Sequence, residues 1–157
     1  MFLDVGGSMD EHVYKVESLF SAAKSSFKHL KHFYFHNCLY ETVWNNNPRS
    51  SEDIIPTWDI LRKYGSDYRV LFVGDAAMSP YEVAYPGGSI EHWNEESGAT
   101  WLERLTSHFD SIAWLNPESK SIWNSSASNK MIREIFEDKM FEMNLSGIEE
   151  AMKDLSR

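Results

Sequence analysis

Two aspartates far apart in the chain could share one task. Asp4, in Asp4-Val5-Gly6-Gly7-Ser8, and Asp75, in Val73-Gly74-Asp75-Ala76, each follow a short apolar run and each precede residues that can start a helix. Carboxylates beside a loop hydroxyl and a free helix N-terminus suit a hard divalent cation with oxygen ligands and several retained waters. Magnesium fits best, and manganese is the alternative. Asn116, in Leu115-Asn116-Pro117, also ends an apolar run.

Other reactive side chains carry less. His29, His32 and His36 lack zinc-ligand spacing and a fourth ligand, so solvation and pairing with a helix end account for them. Cys38 is the one cysteine; it reads as a small buried residue, and no internal disulfide or thiolate metal site can form. Glu91, His92, Glu95 and Glu96 crowd an irregular loop in which Trp93 is expected to be the anchor and the charges to stay solvated. Trp58 and Trp101 read as packing residues.

The elements that must position Asp4, Asp75 and Asn116 follow from periodicity. Phe2 to Val5 reads as a strand halted by Gly6-Gly7. From Asp10 to Leu30, Val13, Val16, Leu19, Phe20, Ala23, Phe27 and Leu30 recur at steps of three and four, which predicts a helix capped by Ser8 or Asp10. His32 to His36 and Leu39 to Trp44 suggest two paired strands. Ser51 to Tyr64 is expected to contain a second, shorter helix with Pro56 in its first turn, Ile60 and Leu61 facing inward and Gly65 as terminator. Arg69 to Val73 and Ser111 to Leu115 read as buried parallel strands. Ser79-Pro80 opens a short helix, and Trp101 to Phe109, Asn129 to Lys139 and Ser146 to Leu155 have helical spacing, with a short strand near Met140 to Met143. Strands alternating with helices predict a doubly wound, mostly parallel sheet flanked by helices, a Rossmann-like α/β fold. Such sheets bind ligands at the carboxyl ends of their strands. Asp4, Asp75 and Asn116 all fall there.

The chain has 157 residues and a net charge of -9. Its length suits one domain with a substantial core. The acidity argues against duplex nucleic acid, which needs a basic footprint, and favours cations and basic protein surfaces. No apolar run is long enough to span a bilayer and no signal peptide precedes Asp4, so the expected location is the cytoplasm. A strand ending at Asp4 is short at its start. The expected arrangement is one domain over residues 1–157, forming the C-terminal portion of a longer protein.

Asp4-Val5-Gly6-Gly7-Ser8-Met9 resembles the Asp-x-Ser-x-Ser motif that opens the metal-ion-dependent adhesion site of von Willebrand factor A (VWA) domains. Phe72-Val73-Gly74-Asp75-Ala76-Ala77-Met78-Ser79-Pro80, Gly87-Gly88-Ser89-Ile90-Glu91-His92-Trp93-Asn94 and Trp114-Leu115-Asn116-Pro117 are similar to segments of bacterial CoxE-like A-domain proteins. The resemblance implies a VWA fold with a truncated first strand and metal-site residues Asp4, Ser8, Thr57 and Asp75. Ser8 and Thr57 would contact magnesium, and Asp4 and Asp75 would hold its waters. It also implies a non-enzymatic module that binds a protein partner, a MoxR-type AAA ATPase or its client. Gly6 stands where the motif has its first serine, so a water would replace that hydroxyl. Two alternatives accompany this reading. One is a haloacid-dehalogenase-like phosphatase with Asp4 as nucleophile, although Gly6 occupies the place of its second aspartate. The other is a VWA-like scaffold with a degenerate metal site.

Overall fold

β-Branched and aromatic runs separated by amphipathic helices produce one sheet with a helical layer on each face. The computed structural model describes residues 1–157. Its strands are β1 (Phe2–Asp4), β2 (Phe33–Phe35), β3 (Thr42–Trp44), β4 (Ile54–Pro56), β5 (Arg69–Val73), β6 (Ser111–Asn116) and β7 (Met140–Glu142). They form a single sheet in the order β4-β3-β2-β1-β5-β6-β7. The five strands from β2 to β7 in that order are parallel to their neighbours, whereas β3 runs antiparallel to both β2 and β4. This is the α/β, mostly parallel, Rossmann-like sheet that the alternating pattern predicts.

The helices are α1 (Val13–Ser26), α2 (Thr57–Lys63), α3 (Pro80–Ala84), α4 (Gly98–His108), α5 (Lys120–Trp123), α6 (Ala127–Ile135) and α7 (Leu145–Leu155). Because side chains alternate along a strand, the register divides the core in two. Phe2, Phe72 and Trp114 are register neighbours on one face. Their rings stack at 4.6 and 5.2 Å, and Ile60 of α2, Val83 of α3, Leu105 of α4 and Ile132 of α6 cover them. Leu3, Val73 and Leu115 face the other way, against Ala151 of α7 and Val16, Leu19 and Phe20 of α1. No helix is long and apolar enough to cross a membrane.

Several local expectations change. The first helix does not begin at Asp10: a 3-10 turn over Gly7–His12 comes first, and neither it nor α1 has a side-chain cap. Ser8 therefore lies inside the turn, and its hydroxyl is used elsewhere. α1 also stops at Ser26, leaving Phe27 half exposed, because only the Val16, Leu19 and Phe20 part of the stripe reaches the sheet. The segment from Ser51 is a 3-10 turn and then β4, so Pro56 ends an edge strand instead of sitting within a helix. An edge strand tolerates proline because one side of its backbone is unpaired. Helix α6 ends early at Ile135, followed by Glu137 and Asp138 in the left-handed region.

Asn94, not Trp93, anchors the irregular loop. Trp93 is 73% exposed, whereas Asn94 is fully buried. The Asn94 amide receives the Ser89 N–H at 2.9 Å and donates to the carbonyls of Tyr85 and Glu96. The charges around it are also engaged: Glu91 with Arg49, His92 with Glu41, Glu96 with Arg104. Cys38 is buried as expected, and burial pushes its thiol up to about 12. Trp101 is buried, while Trp58 lies edge-on to it at the surface.

Candidate metal centre

The carboxyl ends of β1, β5 and β6 bring Asp4, Asp75 and Asn116 together, as parallel strands with loops at one edge should. The approach of β1 and β5 needs a residue without a side chain: a Cβ on Gly74 would lie 2.9 Å from Asp4 Cβ and 3.2 Å from Trp114. Gly74→Ala is therefore expected to lower stability by about 1–3 kcal/mol, the usual range for overpacking, readable as a fall in the urea midpoint. It should also disturb Asp4 directly.

Asp4 and Asp75 are both 2% exposed. Asp4 Oδ1 accepts the Asn37 N–H at 2.9 Å, while Asp4 Oδ2 is buried with no hydrogen-bond partner. Burial, followed by the repulsion of Asp75, holds the Asp4 carboxyl well above the usual range; the Asn37 N–H acts in the opposite direction but does not prevail. Asp75 is better served. Its Oδ2 accepts the Ser8 hydroxyl at 2.5 Å and its Oδ1 accepts the Ala77 N–H at 3.0 Å. Asp4 and Asp75 are thus close enough to repel, and Ser8 touches one of them.

Thr57 stands one step out. As the first residue of α2 it is fully buried, and its hydroxyl donates to the Tyr40 carbonyl at 2.6 Å while its N–H donates to the Glu41 carbonyl. It makes no hydrogen bond to Asp4, Ser8 or Asp75. It is attached instead to the β2–β3 loop, the loop whose Asn37 serves Asp4. Donating its proton leaves the Thr57 oxygen with lone pairs to offer.

Sequence reasoning missed the supports of this site. Glu82 is a third buried carboxylate, taking the Asn37 side-chain amide at 3.0 Å and the Ser79 N–H at 3.0 Å. Its signal was present as the capping box Ser79-Pro80-Tyr81-Glu82. Arg49 pairs through two hydrogen bonds with Glu91 and lies over the Trp44 ring. The Asp75 loop is held from α6: Asn129 donates to the carbonyls of Asp75 and Ala76, Ser128 donates to Ala76 at 2.7 Å, and Asn116 donates to Asp75 at 3.0 Å. Ala76 sits at φ 54, a conformation unfavourable for a residue with a Cβ, so these bonds hold a strained turn. Asn129→Ala removes one of two bonds at the Asp75 and Ala76 carbonyls, which keep Asn116 and Ser128, and one acceptor of the Asn116 amide. The expected cost is about 1–3 kcal/mol, measured as a fall of several degrees in Tm.

Gly6 is more than a missing serine. It adopts φ 82 and ψ 173, a region that is essentially glycine's alone. A Cβ there would meet His36 Nδ1 at 3.2 Å, and that nitrogen is committed, donating to the Val5 carbonyl at 2.6 Å. A serine side chain would begin in tight contact with the His36 ring.

Fold and site together define an α/β protein with a buried, oxygen-rich, acidic centre at the carboxyl ends of its parallel strands. No family model matches the chain, and no curated protein or solved structure matches it.

Proposed function

We propose that the chain is a metal-dependent protein-binding module of the VWA type, in its CoxE-like group, that assists a MoxR-type AAA ATPase in maturing or remodelling a client protein. The observation that carries the metal part is the buried Asp4 carboxylate, one oxygen of which has no partner, beside a second buried carboxylate. A buried charge without compensation is costly, and a divalent cation is the group that answers it. The donors the fold brings together are two carboxylates and the Ser8 hydroxyl, all oxygen, which fits magnesium, and manganese second; Thr57 would add a second hydroxyl.

On this reading Ser8 and Thr57 contact the cation, and Asp4 and Asp75 hold its waters. The bound cation supplies a fixed positive charge that a carboxylate of the partner protein can reach. Asn37, Asn116, Ser128 and Asn129 keep the two aspartates in place. Gly6 lets the loop turn, at the cost of one hydroxyl. The phosphatase alternative gains nothing from the site, since Gly6 offers no general acid two residues beyond Asp4.

A thermal-shift comparison tests the proposal. Millimolar magnesium is expected to raise the Tm of the wild type through linkage, by an amount set by its excess over Kd, and to leave Asp75→Ala unmoved. Equal shifts in both, or none in either, would leave a scaffold without a working metal site. Phosphate-ester turnover lost in Asp4→Asn would favour the enzyme.

A further inference from the structure

A second group of ligating side chains lies outside the site described above. Glu11 and His12 end the 3-10 turn that follows β1, and Glu118 lies just beyond β6. One ligand atom from each can be chosen so that all three lie within 4.8 Å of one another. His12 Nε2 and Glu118 Oε1 are 2.8 Å apart, with side-chain exposures of 11% and 35%.

We propose that Glu11, His12 and Glu118 form a binding site for a zinc-class transition-metal ion, separate from the Asp4 and Asp75 centre. The chemistry differs from that centre in one respect that matters: an imidazole joins two carboxylates. Nitrogen with carboxylate oxygen suits zinc and its neighbours and disfavours magnesium, which prefers oxygen alone. The size also fits. Tetrahedral zinc with bonds of about 2.0–2.1 Å separates its ligand atoms by roughly 3.3 Å; the His12–Glu118 pair is at 2.8 Å and no pair of the three exceeds 4.8 Å.

Two further observations support a ligand there. Glu118 is held by its backbone from both sides: its N–H donates to Asn116 Oδ1 at 2.9 Å and its carbonyl accepts the Trp123 indole at 3.1 Å. Its carboxylate is therefore presented by a fixed segment, as a metal ligand needs. Glu11 makes no ion pair and Glu118 pairs with His12 alone, so no Lys or Arg side chain stands where a metal ion would sit. A divalent ion would balance the two carboxylates and tie the turn that carries Ser8 to the loop after β6.

The test is a zinc titration of the purified protein against a chromogenic chelator, with circular dichroism confirming that each variant is folded. One equivalent of zinc is expected to bind, with affinity falling at least about tenfold, as metal-site substitutions do, in both His12→Gln and Glu118→Gln. Asp75→Ala should bind zinc as the wild type does, because the site does not depend on the magnesium reading. No zinc bound by the wild type, or affinity unchanged in a folded His12→Gln or Glu118→Gln protein, would overturn the proposal. Loss of zinc in Asp75→Ala with retention in those two variants would overturn it as well, by placing the ion at the other centre.

Discussion

In metal-free buffer at neutral pH, Asp4→Asn is expected to be more stable than the wild type, because the amide has no charge to bury beside Asp75. The direction follows from linkage. Burial and the neighbouring Asp75 raise the folded-state pKa of Asp4 above its ordinary value. Below the unfolded value, about 3.9, both states carry the proton and the penalty is absent. As pH rises from there through the raised folded pKa, the native state must accept a buried charge and stability is lost. Glu96 and Glu142 behave oppositely, since hydrogen bonds from Arg104 and from the Lys120 N–H hold them below their usual range. Their contribution is present above the unfolded pKa and is lost as pH falls. Subtracting the variant's urea-unfolding curve from the wild type's at each pH cancels these other groups. The difference should widen from about pH 4 toward neutrality. A difference that stays flat would contradict the assignment of Asp4 as an uncompensated buried acid.

The second large effect concerns Gly6→Ser. If the proposed VWA-type motif alone governed the site, a serine at this position should improve metal binding. The backbone argues otherwise. At φ 82 and ψ 173, with His36 Nδ1 at 3.2 Å from the new Cβ, a serine is strained by about 1–3 kcal/mol. It must also press on a histidine that is bonded to Val5. The expected result is a Tm lower by several degrees and magnesium affinity no better than the wild type's. Tighter magnesium binding without loss of stability would show that the loop can adopt the serine-bearing geometry after all.

The sequence revealed the sheet best where burial is complete. Arg69–Val73 appears with the bounds its nearly continuous apolar run suggests, and the β6 run needed only Asn116 added, because strands buried on both faces over most of their length leave little doubt about their type. The edge was harder. Ile54–Pro56 pairs through its backbone with Thr42–Trp44 while Ile54 and Pro56 stay exposed, so hydrophobic pattern carried no trace of it. Ser8 had two uses open to it, cap or ligand; it caps neither the 3-10 turn nor α1, and its hydroxyl goes to Asp75, a contact made only by the tertiary fold.

The site itself was half visible. Asp4, Asp75 and Asn116 could be placed at strand ends, and their convergence follows from parallel topology. Their supports come from α6 and from the β2–β3 loop. Ser128 and Asn129 look like ordinary polar residues near a helix start, and nothing in their spacing announces that they point inward to the Asp75 loop. Arg49 gave no signal either; it reaches Glu91 across a sequence separation of 42 residues.

Isothermal titration with magnesium, and then manganese, comparing wild type with Asp75→Ala, tests the central claim most directly. The proposed site predicts one saturable binding event in the wild type and its loss in a folded Asp75→Ala protein. No binding in the wild type, or identical binding in both proteins, would contradict it.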